Sequence, residues 1–266
     1  GWYATAQTVT LTGPSGATLR YTTDGTDPTT ASPTIASGGT LVVGQSQVVK
    51  VRAWETGLDP SAVRRADFMI TGAIAAGGYH SAALAADGTV WTWGQNPWGQ
   101  VGDGTYTTRL TPVSVLTGAT AIATGLIHTL AVKTNGTLWA WGYGANGRLG
   151  YGSTSNKTVP TQAVGLTNVV AVAAGESHSL ALRDDGTVWA FGLNNDGELG
   201  DGTTTQRTTP VQVVGLTGVI AIAAGKATSY ALQADGANGG IVWAWGRNTY
   251  GQLGDGSLQS RATPTR

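Results

Sequence analysis

The stretch VVAVAAGESHSLALRDDGTVWAFGLNNDGELGDGTTTQRTTP, from Val169 to Pro210, is one copy of a unit that occurs four times in the chain. The glycine that ends its first apolar run recurs at steps of 48, 50 and 50 residues. A fixed period of about 40 to 50 residues with short β-type segments predicts propeller blades or a similar array. The recurring positions are Gly77, Gly125, Gly175 and Gly225; Trp93, Trp141, Phe191 and Trp245; and Pro112, Pro160, Pro210 and Pro264.

Each unit contains four segments with the pattern of β-strands, which in the quoted copy read AVAAG, SLALRDDG, TVWAFG and TPVQVVG. The second and third segments alternate with period two, as half-buried strands do. An Asp-Gly or Asn-Gly dipeptide joins these two segments in every unit and predicts a tight hairpin. In the fourth unit, four extra residues follow the Asp235-Gly236 dipeptide, at Ala237 to Gly240. The other dipeptides are Asp87-Gly88, Asn135-Gly136 and Asp185-Gly186.

The composition limits the classes of function that the chain can have. Charged residues make up 11% of the 266 residues and the formal net charge is zero, so no basic patch for nucleic acid is indicated. The chain has no cysteine, which excludes disulfides and thiol chemistry. Its apolar runs are too short to span a bilayer. The chain begins at Gly1, and we expect it to be a processed product or a piece of a longer one.

Residues 1–72 have a different pattern from the repeats. Alternating runs such as QTVTLTG, ATLRYTTDG, GTLVVG and QVVKVRAWE are separated by turn residues, which predicts a small β-sandwich. Asp24-Gly25 is expected to close a tight hairpin and Asp27-Pro28 to start the next turn.

This segment resembles the C-terminal-type domain of chitobiase and β-hexosaminidase. The resemblance rests on YTTDGTDPT from Tyr21 to Thr29, on VVKVRAWETG from Val48 to Gly57, and on the closing residues Ser61 to Ile70. It implies an immunoglobulin-like accessory module that is usually extracellular. Because Asp24 and Asp27 lie in a turn, they are interpreted as turn residues and not as a glycosidase pair or a calcium site.

Residues 73–266 resemble the regulator of chromosome condensation repeat family. The resemblance rests on AAG-x-x-H-S-L-A-L, DGTVWAWG and GQLGDGT, followed by a basic residue and TP. It implies a propeller, usually of seven blades. The predicted fold class is therefore all-β: a small immunoglobulin-like sandwich in residues 1–72, followed by a partial, four-repeat β-propeller in residues 73–266.

The four repeats leave the shape of the array open. The first unit lacks a preceding TPVQVVG-like strand, and the chain ends before the strand expected after Pro264. Three interpretations remain: an arc cut from a larger ring, an assembly with other copies through open blade edges, and a closed ring of four blades.

His80, His128 and His178 occupy equivalent places, with Thr228 in the fourth unit. Zinc is disfavoured, because adjacent sheets pack about 10 Å apart and equivalent atoms cannot share one ion. The resemblance makes this histidine a framework residue that satisfies backbone groups near the inner turn of a blade. No metal or cofactor is therefore expected.

Three further series are also interpreted as structural. Asp103, Asp201 and Asp255 are expected to form turns, because a calcium loop needs more oxygen ligands than one aspartate for each turn supplies. Basic residues three positions before each proline are expected to pair between blades. The indoles and their partners two residues later are expected to form the core between blades. These positions are Arg109, Lys157, Arg207 and Arg261; and Trp91, Trp139, Trp189 and Trp243, with Trp93, Trp141, Phe191 and Trp245.

The loops after the first and third strands differ most between units. Two chain reversals separate them, so both are expected on the same side of the array, where variable loops on a rigid scaffold meet partners. Drift of unconstrained loops is the alternative. The candidate binding residues are Tyr79, Trp98, Tyr143, Asn194, Arg247 and Tyr250.

No catalytic constellation stands out in the sequence. The chain is therefore predicted to be a non-catalytic, secreted bacterial binding or adhesion protein whose loops engage a protein or a polysaccharide at the cell surface. The alternatives are a structural subunit of a cell-surface assembly or filament, and the accessory region of a larger secreted glycoside hydrolase. Neither nucleic acid nor membrane insertion is expected.

Overall fold

A computed structural model describes residues 2–3, 7–43, 47–70, 72–235 and 240–266. The chain divides into two compact units: Gly1–Gly72 with Ala85–Asp87, and Ala73–Leu84 with Gly88–Arg266. Strands make up the regular structure of the described residues, apart from a 3-10 turn at Ala145–Gly147. Within the same residues, no helix has the length and apolar character needed to cross a membrane.

The first unit contains two sheets. A five-stranded sheet has the order β1-β7-β6-β3-β4, and β2 pairs with β5 in a two-stranded sheet. Leu11, Leu19, Val43 and Val49 are buried in this unit. The strands are β1 (Trp2–Tyr3), β2 (Gln7–Leu11), β3 (Thr18–Thr22), β4 (Thr34–Ile35), β5 (Gly39–Val43), β6 (Gln47–Trp54) and β7 (Arg64–Ile70).

The turn at Asp24 forms, but the tight hairpin predicted there does not. The Asp24 carboxylate accepts hydrogen bonds from the backbone N–H and the hydroxyl of Thr26, which is a local turn. Asp24 itself bridges to Val48, and β3 pairs instead with the more distant β4. Asp27 forms a salt bridge with Lys50 at 2.6 Å.

The second unit consists of four antiparallel four-stranded sheets, here called blades 1 to 4. Blade 1 contains β8 (Ala73–Ala76), β9 (His80–Leu84), β10 (Val90–Gly94) and β11 (Arg109–Leu116). Blade 2 contains β12 (Ala119–Thr124), β13 (His128–Lys133), β14 (Leu138–Gly142) and β15 (Lys157–Gln162). Blade 3 contains β16 (Val169–Ala174), β17 (His178–Arg183), β18 (Val188–Gly192) and β19 (Arg207–Gln212). Blade 4 contains β20 (Val219–Ala224), β21 (Thr228–Ala234), β22 (Gly240–Gly246) and β23 (Arg261–Thr265).

The four-strand pattern predicted for each unit is confirmed, including the hairpins between the second and third strands of blades 1 to 3. The fourth strand begins at the basic residue, two residues earlier than the sequence pattern indicates. For this reason β23 forms in blade 4, where the strand was expected to be missing; it pairs with β22. Residues 236–239, which hold most of the predicted insertion, lie outside the described residues.

The first strands of consecutive blades contact one another and form the inner edge of the array. Packing joins blade 1 to 2, 2 to 3 and 3 to 4. The predicted alternative of a closed four-bladed ring is wrong, because the described part of blade 4 leaves Ala223 and Val242 exposed on an open face, whereas the equivalent Ala173 and Val188 of blade 3 are buried.

The aromatic core between blades is confirmed for the second aromatic residue of the pair in blades 2 to 4, whereas Trp93 in blade 1 is half-buried. It is corrected for the first aromatic residue of each pair. Trp141, Phe191 and Trp245 are completely buried. Trp139, Trp189 and Trp243 are only half-buried, and Trp91 is 39% exposed. The first indole of each pair therefore packs at the edge of the blade interface, where its N–H bonds to a nearby polar side chain in blades 2 to 4.

Candidate functional site

The loops after the first and third strands emerge on the same side of every blade, as predicted. The backbone N–H that follows each third strand donates to a carbonyl in the loop after the first strand, at 2.8 to 3.0 Å. The pairs are Gln95 with Tyr79, Tyr143 with Ile127, Leu193 with Ser177, and Arg247 with Ala227. We call this side of the second unit the loop face.

A buried relay of hydrogen bonds holds consecutive blades together beneath the loop face. In blade 3, the Nε2 of His178 contacts the hydroxyl of Ser229 in blade 4 at 2.9 Å. That hydroxyl donates to the Glu198 carbonyl at 2.7 Å, so Nε2 must carry the imidazole proton. His128 with Ser179, and His80 with Thr129, repeat the arrangement at the other two junctions.

These contacts confirm that the histidines are framework residues, but their partners are hydroxyl groups of the next blade and not backbone groups. Burial lowers the pKa of His80 and His178 to about 4 and that of His128 well below its usual value, so all three are neutral at pH 7. Among the described residues, no group of three or more His, Asp or Glu side chains is placed to hold a metal ion.

A glycine before each histidine is required by the close approach of the blades. A Cβ at Gly175 would lie 2.7 Å from the Gly225 carbonyl oxygen and would overlap the His178 ring. The glycine of the AAG turn is therefore required by packing between blades, which the sequence pattern alone does not reveal.

Blade 4 changes this relay. Thr228 replaces the histidine, and the Tyr230 hydroxyl donates to the Gln252 carbonyl at 2.9 Å. The equivalent carbonyls of Gln100, Arg148 and Glu198 receive the hydroxyl of the next blade. Blade 4 thus satisfies this carbonyl from within its own sheet.

The long loops of blades 1, 3 and 4 share an internal polar anchor. In blade 3, Asn194 donates to Asp201 and to the carbonyls of Thr203 and Thr205, and it accepts from the Leu199 N–H. Asn194 is completely buried, so the prediction that it faces a partner is wrong. Its role is to hold the loop, as Asn96 and Asn248 do in their blades.

The basic residue of each unit pairs within its own blade, which corrects the predicted pairing between blades. Arg207 binds Asp201 through two nitrogens at 2.8 and 2.9 Å, and Asp201 also accepts from the Thr203 N–H. Arg109 with Asp103, and Arg261 with Asp255, form the same pairs. The pKa of each aspartate is lowered by its hydrogen bonds to a Thr or Ser and to the arginine, against the effect of burial; that of Asp255 falls to about 2.

Blade 2 builds its loop from different residues. Tyr151 and Lys157 replace the aspartate and the arginine, with the ammonium 4.6 Å from the ring centroid. Gly144 replaces the anchoring asparagine, and its N–H donates to Asn156. Asn146 adopts a left-handed conformation with φ of 60°. These changes occur together and give this loop a distinct surface.

An aromatic cluster on the loop face joins blades 1 and 2. The rings of Trp98 and Tyr143 have centroids 4.6 Å apart and are tilted by 55°. The Arg148 guanidinium lies 5.0 Å from the Tyr143 ring centroid and donates to the carbonyls of Ala145 and Glu176. Trp98 is 41% exposed although its ring is held in place. We call Trp98, Tyr143 and Arg148 the aromatic cluster.

A recess lies where the loops after the four first strands converge. Its volume is about 650 Å³, and glycines of the AAG turns line much of it. Tyr79 and Leu126 line it on blades 1 and 2, whereas Glu176 and Lys226 line it on blades 3 and 4. The loop face is therefore apolar on one half and charged on the other.

A smaller cleft of about 190 Å³ opens between blades 3 and 4. Asp196, Glu198 and Arg247 line it, together with the Glu176–Lys226 pair, whose charged atoms lie 3.4 Å apart. Glu198 is only 1% exposed, and burial raises the pKa of its carboxyl group. We call this the charged cleft.

The predicted binding residues thus fall into separate places. Trp98 and Tyr143 come together in the aromatic cluster, and Tyr79 lines the central recess. Arg247 lines the charged cleft, and Tyr250 is 83% exposed on blade 4. A role for these five in binding stays a prediction.

Arg148 and Glu198 were not among the predicted site residues. They occupy the position where blades 1 and 4 have Gln100 and Gln252, whose side-chain oxygens accept the N–H of the residue two positions earlier. In the sequence, these two residues could have been found because they are charged at a position where the other two units have a neutral glutamine.

Consecutive four-stranded antiparallel sheets that share an inner edge define a protein of the β-propeller class. Residues 36–266 match the family model of the RCC1-like domain, so the chain belongs to that family. Residues 1–65 match the chitobiase/beta-hexosaminidase C-terminal domain. No curated protein matches the chain.

Solved structures confirm the RCC1-like fold. Human WBSCR16 is 24% identical with a TM-score of 0.64, over 85% of this chain and 63% of that one. Prp20p from Saccharomyces cerevisiae is 22% identical with a TM-score of 0.64, over 84% of this chain and 61% of that one. Yeast RCC1 (Prp20) with bound Kap60 gives the same identity and TM-score, and this chain covers 59% of its length. The chain therefore spans about 60% of the length of these relatives.

Proposed function

We propose that this chain is a non-catalytic binding scaffold whose loop face engages a protein partner. The observation that carries the proposal is the aromatic cluster, in which an exposed tryptophan packs against a tyrosine ring and a buried arginine contacts the same tyrosine. Tryptophan, tyrosine and arginine are the residues most often found to dominate binding energy at interfaces.

The rigidity of the scaffold supports the same proposal. The loops that hold Trp98 and Tyr250 are fixed by buried asparagines, Asn96 and Asn248, so little conformational entropy is lost when a partner binds. Tyr79 and Leu126 extend the apolar surface into the central recess.

A protein partner is favoured over a polysaccharide. The solved relative Prp20p is described by its binding to Gsp1p and histones, and the same yeast protein is seen bound to Kap60. We transfer only the class of partner to this chain, because the relatives are less than 25% identical to it. A polysaccharide is the alternative ligand.

We further propose a bacterial, extracellular or cell-surface setting, with adhesion as the biological role. The support is the match of residues 1–65 to a domain whose resemblance implies an immunoglobulin-like accessory module of secreted enzymes. Secretion assays on the native gene product, with cell fractionation, would test this location; recovery only from the cytosol would contradict it.

Binding through the aromatic cluster can be tested with the full chain. We expect peptides selected from a displayed random library against the wild-type chain to bind a Trp98→Ala variant at least tenfold more weakly, because an anchoring tryptophan typically contributes about 2 kcal/mol or more. Trp91→Ala is the matched control, since Trp91 is equally exposed but lies within β10. Affinities would be measured by surface plasmon resonance.

Two outcomes of this experiment would contradict the proposal. One is equal loss of affinity in Trp98→Ala and Trp91→Ala, which would place the contact elsewhere or indicate general destabilisation. The other is failure to select any peptide while a glycan array returns a ligand whose binding depends on Trp98, which would assign the face to polysaccharide.

Self-association is a second candidate function, favoured by complementary features at the two ends of the blade array. Gly102, Gly150 and Gly200 each receive the aromatic ring of the next blade, whereas the equivalent Gly254 faces open space. In blade 1 the equivalent ring, Trp93, is only half-buried. Insertion of Trp93 from a second copy against Gly254 would join two chains.

We expect that this self-association would give concentration-dependent sedimentation that Trp93→Ala abolishes. Sedimentation velocity between micromolar and hundred-micromolar concentrations measures it. A single monomeric species over the whole range would remove this candidate.

A further inference from the structure

We propose that the charged cleft between blades 3 and 4 binds the side chain of a lysine or arginine supplied by the protein partner. This inference rests on the proposed function and identifies one chemical feature of the partner. The central residue of the cleft is Glu198, which follows Gly197 in the blade 3 loop.

The same position in other blades shows what the fold requires there. Gln100 and Gln252 accept the N–H of Trp98 and Tyr250 through a side-chain oxygen, at 3.0 and 2.8 Å. One carboxylate oxygen of Glu198 accepts the equivalent bond from the Asp196 N–H, at 2.9 Å. A neutral glutamine is therefore sufficient to hold the loop, and the charge of Glu198 serves no purpose in that bond.

The charge of Glu198 is only partly compensated. Glu198 is 1% exposed, and its carboxylate accepts the N–H of Asp196. Burial is the largest influence on its pKa and raises it, because burial disfavours the charged form. Arg247 also lines the cleft and lowers this pKa, but its effect is smaller than that of burial, and its Nε donates to the Thr249 hydroxyl.

The size and charge of the cleft identify its occupant. At about 190 Å³ it is smaller than typical small-molecule sites of about 300 to 1,000 Å³, so it suits a single side chain. The charges of Glu176 and Lys226 offset each other. Among the described residues that line the cleft, the carboxylates of Asp196 and Glu198 then remain with the single cation of Arg247. An inserted ammonium or guanidinium group would donate hydrogen bonds to the Glu198 carboxylate and would compensate its charge.

The cleft can be tested directly with blocked amino acids. The probe is Nα-acetyl-lysine N-methylamide, titrated into the ¹⁵N-labelled full chain and followed by two-dimensional NMR. The Asp196 amide is the reporter, because its N–H donates to Glu198. We expect saturable shifts at this amide, an affinity at least tenfold lower in Glu198→Gln, and unchanged affinity in Asp184→Asn, which removes the same charge from an exposed turn between β17 and β18.

Two further probes decide the chemistry. Nα-acetyl-norleucine N-methylamide lacks the ammonium group and is expected not to bind. Equal binding of the norleucine probe, preferential binding of the equivalent glutamate probe, unchanged affinity in Glu198→Gln, or no binding of the lysine probe would each overturn the inference. If the lysine probe fails while library peptides still require Trp98, the proposed function stands and only the cleft assignment falls.

Discussion

Replacement of Trp245 by alanine is expected to destabilise the propeller unit by about 3 to 5 kcal/mol, the usual cost of truncating a large buried aromatic residue. The Trp245 side chain is completely buried and belongs to a cluster with Leu180, Leu199 and Val213 of blade 3. Its indole N–H donates to the Glu198 carbonyl at 2.9 Å. The substitution would therefore leave a cavity between blades 3 and 4 and remove a hydrogen bond that links them.

The chain contains its own control for this prediction. Phe191 occupies the equivalent position between blades 2 and 3 and is equally buried. Trp245→Phe should therefore keep most of the packing and cost only about 1 kcal/mol, mainly from the lost hydrogen bond. Urea unfolding followed by circular dichroism measures both variants. The assigned packing would be contradicted if Trp245→Ala lowered the free energy of unfolding by less than about 1 kcal/mol, or if both variants lowered it equally.

The repeat period, the strands of the repeats and the hairpins of blades 1 to 3 could be predicted from the sequence, because they depend on local patterns. The hairpin predicted at Asp24-Gly25 was wrong. Alternation places the strands and the Asp-Gly dipeptides place the turns. The period of the unit also predicts an aromatic core between blades, which Trp141, Phe191 and Trp245 confirm, but it does not separate these residues from the half-buried indole two positions earlier.

The partners of polar side chains could not be predicted in the same way. A period shows that Arg207 and Asp201 recur, but not whether they meet within one blade or across two; they meet within one. Asn194 lies in a variable loop and has the composition of a binding residue, yet it is buried as the anchor of that loop. Distances in space, and not residue type, separate these roles.

The candidate site was predicted in outline only. Trp98 and Tyr143 are 45 positions apart in sequence, and only the packing of blades 1 and 2 brings their rings together. Glu198 illustrates the same limit, since its burial depends on the adjacent blade 4 loop. Comparison of the four units at one position is the sequence-based approach that finds it.

Acidification is expected to destabilise the propeller unit. Near pH 5, its free energy of unfolding should fall by about 4 kcal/mol for each pH unit. Burial lowers the pKa of His80 and His178 to about 4 and that of His128 well below its usual value, and the charge of Arg148 adds to this effect for His128 and His178. An unfolded histidine has a pKa of about 6.5. Below pH 6.5 the unfolded chain therefore binds up to three more protons than the folded chain. Stability is fully present above pH 6.5 and falls as the pH decreases towards 4.

The slope of the free energy of unfolding against pH shows how many histidines are responsible, because each buried histidine contributes about 1.4 kcal/mol per pH unit. His178→Thr introduces the residue that blade 4 already uses at this position, Thr228. The variant should be less stable than wild type at pH 8, where it loses the bond to Ser229, but its slope near pH 5 should fall to about 2.7 kcal/mol per pH unit. Urea unfolding at pH 8, 6 and 5 measures both slopes. An unchanged slope in His178→Thr, or stability that stays constant between pH 6.5 and 5, would show that these histidines do not remain neutral in the folded chain.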